Sequence, residues 1–284
     1  DGAYWNWRGV HGDVWLIIRP ETYLENPQVV SSVRDQKLTV NFGVVNSSDH
    51  DKRLRPELKI KGERVPNIPN GGDVTIRAGE RKTLSVEFDW DDARLWDVDD
   101  PYLYDYQFSA IDGDAIVDQY WPERFGFREF WIEDGDYVLN QKKIHLVNDD
   151  KPRGGSVNDE WCREYLRLIK SLGYNSIRAP FPGKSKNYCM NNILRACDEE
   201  GVLVFMNLTG ARRETYSQWN DPKVQKRLKN EMTRDVLQWR DHPSIVLWYY
   251  SVNQLGYGWD YHPLKIADGY QPENKKGFVA AARE

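Results

Sequence analysis

The chain has 284 residues, 40% of them apolar and 29% charged, with a formal net charge of −5. That balance excludes a disordered chain. Mild acidity with no basic block gives a nucleic-acid groove no electrostatic support, and the longest apolar runs, at 202–206 and 245–250, are far too short to span a membrane.

Residues 9–18, "GVHGDVWLII", read as a strand entered through a glycine turn, and Pro20 and Pro27 bracket a short linker. Strand signals then recur. "KLTVNFGVV" sets Leu38, Val40, Phe42 and Val44 on one face, "ELKIKG" alternates more briefly, and "RKTLSVEFDW" sets Leu84, Val86, Phe88 and Trp90 on one face. "NSSDHD" is a turn and "PNIPNGGD" a loop between them. "PYLYDYQFSAID" alternates less cleanly and ends on Asp112-Gly113, a hairpin signal, and "AIVDQYWPERFGFREFWIEDG" closes the series. Short strands at this spacing without a helical period predict an antiparallel β-sandwich.

The pattern then changes. "KKIHLVNDD" reads as one short strand. "NDEWCREYLRLIKSLG" reads as a helix capped by Asn158 and ended by Gly173, with Trp161, Tyr165, Leu168 and Leu172 at helical spacing. "YNSIRAPF" is a strand, "NYCMNNILRACDEEG" a helix ending at Gly201, "VLVFMNLT" a strand, "PKVQKRLKNEMTRDVLQWRDHP" a helix opened by Pro222, and "SIVLWYYSVN" a fourth strand. Four strand–helix alternations predict a parallel sheet, with runs such as "VLVF" buried on both faces. The strands end on Asn148-Asp149, Arg178, Asn207 and Asn253-Gln254, and in a (β/α) barrel such ends line the active face. Four units cannot close an eight-strand barrel. An open doubly wound sheet is the alternative, although "NDDKPRGG" lacks the glycine spacing of a phosphate loop.

The three cysteines, Cys162, Cys189 and Cys197, cannot pair completely and lack metal spacing, so they read as small core residues. Twelve Trp and sixteen Tyr read either as core and interface residues or as platforms that stack on sugar rings. No signal peptide is visible; the chain opens on Asp1-Gly2 and stops at "GFVAAARE", as if in mid-helix, so both ends are expected to be cuts.

The order of these pieces resembles glycoside hydrolase family 2, the β-galactosidases, β-glucuronidases and β-mannosidases. The stretches that carry the likeness are "LWDVDDPYLYDYQF" in the sandwich, "RFGFREFWIEDGDYVLNQKKIHL" at its exit, "LIKSLGYNSIRAPFP" and "ACDEEGVLVFMN" after it, and "HPSIVLWYYSVNQLG" at the fourth strand. "GVHGDVWLII" is similar to the last strand of the family's first domain. The resemblance implies the end of a jelly-roll sugar-binding domain at 1–24, an immunoglobulin-like β-sandwich at 25–131, and the N-terminal half of a (β/α)8 TIM barrel at 132–284. An open half-barrel would expose apolar edges, so poor solubility is expected of the chain by itself.

The resemblance also implies a retaining β-glycosidase mechanism, in which two carboxylates roughly 5 Å apart act as nucleophile and acid/base. The acid/base Glu falls on Gln254, the neighbouring sugar-binding Asn on Asn253, and the Arg that orients the nucleophile on Arg178. The nucleophile belongs to a seventh strand, beyond this chain. The chain departs from the family twice more: residues 179–182 read Ala-Pro-Phe-Pro where a His is usual, and "LVNDDKPRGG" has no His in register. No metal or organic cofactor is implied. The partners expected are a carbohydrate and the remaining half of the barrel; the residues leave the compartment open, and the resemblance alone favours a periplasmic or secreted setting over others.

An amide has no proton to give near neutral pH, and losing general acid catalysis costs about 10²–10⁴ in rate. Gln254 therefore reads as an acid naturally lost or moved, as an engineered Glu→Gln trap, or as a polar strand end in another register. If the acid has moved, Asp260 in "LGYGWDYHP" is the candidate donor, with Trp259 and Tyr257 beside it; the plain alternative is a polar loop shaped by Gly256 and Gly258. Arg178 reads as a nucleophile contact or a structural ion pair, and Asn207 as a sugar contact or a loop cap. Asp149 joins them as a polar strand end. The expected function is that of a family-2-like glycosidase, inactive in this chain by itself; the alternative is a non-catalytic carbohydrate-binding or scaffold protein on the same fold.

Overall fold

The computed structural model describes residues 16–69, 71–149, 158–179, 190–208 and 221–249. The first unit holds β1 (Thr22–Ser32), β2 (Lys37–Asn46), β3 (Lys52–Lys61), β4 (Val74–Ile76), β5 (Arg81–Asp89), β6 (Tyr104–Asp112), β7 (Ala115–Gln119) and β8 (Glu123–Phe125). One antiparallel sheet runs β1-β2-β5 and the other β4-β3-β6-β7, with β8 also paired to β6. The alternation read in the sequence is the packing: Leu38, Val40, Phe42 and Val44 meet Leu84, Val86 and Phe88 in one buried cluster with Leu54, Tyr104 and Phe108. Each such side chain contributes about 1.5–3 kcal/mol by leaving water. Trp90 lies edge-on to Tyr104 at 4.8 Å and to Phe127 at 5.5 Å. Asn46, fully buried, donates to the carbonyls of His50, Ile76 and Arg77 and accepts from Thr22 and Ser48, so its amide costs nothing to bury.

Three local expectations change. Pro27 lies within β1 rather than in a linker: the register with β2 breaks between Glu25 and Gln28, and Asn26 has φ +49°. A bulge on an edge strand leaves one residue unpaired, so a proline without an N–H disrupts no ladder there. β4 forms immediately after the expected loop, held by three residue pairs to β3. Of 9–18 only 16–18 are described; Leu16, Ile17 and Ile18 are exposed and belong to no strand, since none of the described strands pairs with them. The Asp112-Gly113 hairpin is present, with Gly113 at φ +60° between β6 and β7.

A three-stranded antiparallel sheet follows, of β9 (Phe130–Glu133), β10 (Asp136–Leu139) and β11 (Lys142–Ile144). The single strand expected over "KKIHLVNDD" is thus two: β11 closes this sheet, and β12 (Asn148–Asp149) opens the next. The second unit then runs α1 (Asp159–Ser171), β13 (Ser176–Arg178), α2 (Met190–Glu200), β14 (Leu203–Asn207), α3 (Pro222–Trp239) and β15 (Ile245–Tyr249). Its four strands are parallel and lie in chain order, β12-β13-β14-β15. A doubly wound sheet reverses its order partway across; these four strands do not.

The helices begin where local chemistry starts them. The Asn158 side chain accepts from the Trp161 N–H at 2.8 Å, and Asp221 accepts from the Lys223 N–H at 2.8 Å ahead of Pro222. α1 buries Cys162, Leu166 and Ile169; Trp161 and Tyr165 flank that stripe, while Leu168 and Leu172 are exposed. The inward face is therefore rotated from the one expected, because the small Cys162 sits where α1 approaches α2. Cys162 and Cys197 are buried, as core residues should be, and burial pushes the Cys197 thiol up; Cys189 lies outside the described residues.

The two units meet at a dense seam. Arg128 donates from Nε to the Pro243 carbonyl at 2.8 Å and from Nη2 to the Ile245 carbonyl at 2.6 Å. Trp96 Nε1 donates to the Asp198 carbonyl at 2.8 Å, and Lys170 Nζ to the carbonyls of Val98 and Glu200, each at 2.6 Å. Gly126 is obligatory here: a Cβ would lie 2.6 Å from Trp96 Cβ and 2.8 Å from Pro243 Cβ. Behind these contacts Trp96, Leu139 and Leu203 form a small buried cluster.

Candidate active site

In a parallel sheet, paired residues on neighbouring strands share a face, and the face alternates along each strand. Ile177, Val204 and Met206 pack into the cluster formed with α1, α2 and α3. The other face therefore carries Ser176 and Arg178 of β13, Leu203, Phe205 and Asn207 of β14, and the β15 partners of the last two. The register pairs Arg178 with Phe205, Phe205 with Leu247, and Asn207 with Tyr249. Arg178, Phe205 and Leu247 thus form one tier, with Asn207 and Tyr249 above it at the strand ends. The Ala179 N–H to Phe205 carbonyl bond at 2.9 Å and the Leu208 N–H to Tyr249 carbonyl bond at 2.9 Å carry the sheet on to these ends.

Two polar atoms on this face are buried without a partner among the described residues: Asn207 Oδ1, in a residue 1% exposed, and Ser176 Oγ, in a residue fully buried. Leaving such an atom unpaired costs about 1–3 kcal/mol. Asn207 stands at the strand terminus.

Of the residues expected here, Arg178 and Asn207 come together on one face. Asp149 does not join them. Its pairing with Ile177 turns it to the helix side, where Tyr165 of α1 donates to Asp149 Oδ2 at 2.7 Å. The correction follows from period-2 alternation: a two-residue strand offers one residue to each face, and Asn148 pairs with Ser176. Ser176, Phe205 and Tyr249 were not singled out in the sequence, although counting back two from Arg178 and from Asn207 finds the first two. Trp248 packs against the helix-side cluster, as a core residue should. Asn253, Gln254, Tyr257, Trp259 and Asp260 lie outside the described residues. Among the described residues no group of three or more His, Cys, Asp or Glu side chains is placed to hold a metal ion.

Comparison with known proteins places this geometry. A family model described as glycosyl hydrolases family 2 matches residues 22–128, and one described as glycosyl hydrolases family 2, TIM barrel domain, matches 130–267. A β-galactosidase of Oenococcus oeni is 26% identical over 98% of this chain, which spans 28% of that protein's length. Among solved structures, a family 2 β-galacturonidase from Eisenbergiella tayi bound to galacturonate superposes with a TM-score of 0.67 at 22% identity, covering 93% of this chain and 45% of that one. Bacteroides uniformis β-glucuronidase 2, covalently bound to cyclophellitol-6-carboxylate aziridine, superposes with a TM-score of 0.67 at 20% identity, over 93% of this chain and 32% of that one.

Proposed function

Because this chain belongs to glycosyl hydrolases family 2, we propose that it forms the sandwich and the first four strands of the barrel of a retaining β-glycosidase. In this reading 1–24 end a jelly-roll domain, 25–131 are the sandwich, and 132–284 begin the barrel. The observation that carries it is the arrangement of the strand ends: four parallel strands in chain order, with Arg178 and the unpartnered Asn207 Oδ1 on one face. The substrate class is a β-linked galactoside, glucuronide or galacturonide, the activities named among the relatives. The covalent adduct in the B. uniformis enzyme agrees with a double-displacement route.

In the proposed mechanism a carboxylate outside these 284 residues attacks the anomeric carbon. Arg178 holds that carboxylate ionised and oriented, and Asn253 and Asn207 bind sugar hydroxyls. Gln254 occupies the place of the proton donor and has no proton to lend, so Asp260 is the residue proposed to replace it, with Trp259 and Tyr257 beside the sugar. The chain by itself is expected to be inactive. Release of nitrophenol from an aryl β-galactoside or β-glucuronide by the 284-residue chain, clearly above a protein-free control, overturns this.

Gln254 itself favours a second reading, a carbohydrate-binding scaffold that performs no hydrolysis. The longer protein separates the two. If it is an enzyme, the longer protein turns over, and Asp260→Asn lowers turnover of glycosides with poor leaving groups by about 10²–10⁴. If neither form turns over while both bind sugar, the scaffold reading stands.

A further inference from the structure

Away from the strand ends, a cleft of about 640 Å³ opens between the sandwich and helices α2 and α3. Tyr106, Glu123, Arg195, Trp239, Asp241 and His242 are among the side chains that line it. Tyr106 and Glu123 are directly paired on β6 and β8, so both project from the same face of their sheet. Two residues of this lining each carry a polar atom buried with no partner among the described residues: the Tyr106 hydroxyl and Trp239 Nε1, in residues 2% and 6% exposed. A fold does not gain by burying two unsatisfied groups beside a cleft of this size unless something else satisfies them.

We propose that this cleft binds a neutral polyhydroxylated ligand of mono- to disaccharide size. The chemistry of the lining selects that class. Trp239 Nε1 can only donate, so it needs an acceptor. Ionised Glu123 and Asp241 can only accept; Asp241 Oδ1 already takes the Val29 N–H at 3.1 Å, which leaves its other oxygen and Glu123 to take donors. A run of hydroxyl groups supplies both from one molecule, whereas a simple cation offers no acceptor to Trp239 Nε1. An anion meets Asp105, Glu123 and Asp241, while the nearby cations each face a carboxylate: Arg124 with Glu199 at 2.8 Å, His242 with Asp198 at 2.5 Å and, more loosely, Arg195 with Asp159 at 3.7 Å. The volume falls within the range of small-molecule pockets, about 300–1,000 Å³. The site shares no residue with the strand-end face, so it neither needs nor supports the catalytic reading above.

The test is a ligand-observed NMR titration of the 284-residue chain with methyl β-D-glucopyranoside, with methyl β-D-glucuronide as the anionic probe. The neutral glycoside should saturate, and the glucuronide should bind more weakly. Tyr106→Phe removes only the unpartnered hydroxyl, so it should weaken binding about 3–10-fold without lowering the melting temperature. Trp239→Phe should weaken binding by a similar factor. Asn207→Leu, at the other face, should leave this binding unchanged. Three results overturn the proposal: no saturation, equal or tighter binding of the glucuronide, or a signal that survives both Tyr106→Phe and Trp239→Phe. A signal lost only in Asn207→Leu belongs to the barrel face, so the two sites fail separately.

Discussion

Arg128 Nη2 donates to the Ile245 carbonyl at 2.6 Å, so a residue just past the last sandwich strand holds the first residue of β15. The same guanidinium also takes the Pro243 carbonyl. Burial pulls the Arg128 pKa down to about 10, which still leaves it charged at neutral pH. Arg128→Met should leave both carbonyls without that donor and cost about 2–6 kcal/mol, from about 1–3 for each orphaned group. Urea unfolding measures this. Arg128→Lys should recover only part, since one ammonium cannot reproduce the fork geometry.

The seam should also make stability depend on pH. Burial pushes Asp241 up to about 6 from an ordinary 3.8, and burial raises Glu123 as well. For His242, burial works to lower the pKa, but the Asp198 carboxylate outweighs it, with help from Asp241 and Glu123, and the net direction is upward. All three hold protons more tightly folded than unfolded. Their stabilisation is complete below the unfolded values and drains away as pH rises through the folded ones. Asp241 alone should therefore make the chain about 1 kcal/mol more stable at pH 5 than at pH 8. Glu199, held low by Arg124 and Arg163 despite its burial, works the other way and loses its contribution as pH falls below the ordinary Glu range. Denaturation midpoints across pH 5–8 should fall towards the alkaline end, and Asp241→Asn should flatten that slope.

Asp198 accepts from the Ser244 N–H at 3.1 Å, from Ser244 Oγ at 2.6 Å, and lies 2.5 Å from His242 Nδ1. The serine donates to the carboxylate rather than to the imidazole, so this trio is a brace for the turn into β15 and is not arranged as a nucleophile. Asp198→Asn should lower the His242 pKa, read from the imidazole proton shifts. Stability should drop by about 3–5 kcal/mol where His242 remains protonated, as expected when one partner of a buried pair is removed.

Asn207→Leu tests the barrel face in the opposite sense. The native amide oxygen already lacks a partner, so an apolar side chain of similar volume should leave stability within about 1 kcal/mol or raise it. Sugar binding at that face should be lost. A large loss of stability would mean that Asn207 caps structure instead.

Much of the architecture was legible because it rests on period. Alternation at Leu38 to Val44 and at Leu84 to Phe88 marks strands buried on one face, and four strand–helix repeats mark a parallel sheet. What escaped was set by partners distant in sequence. β12 has two residues and no pattern of its own; it exists because Asn148 and Asp149 meet Ser176 and Ile177. The direction of Asp149 followed from that register, which no local signal encodes. Pro27 argued for a linker, yet an edge strand with a bulge accommodates it. The bracing at Asp198, Arg128 and Lys170 links residues 30 to more than 100 positions apart, and nothing local in "ACDEEG" or "RFGFREF" announces those partners.

The crowding around Gly126 has a mechanical consequence. With Trp96 on one side and Pro243 on the other, and donors from Arg128, Trp96 and Lys170 stitched across, the joint has no slack about which to hinge. A force on the sandwich would be passed whole to the start of β15 instead of being absorbed between the units. A foreign sandwich in its place would leave β15 its pairing with β14 but strip these contacts from its start, so the two modules should be expressed and engineered as one piece.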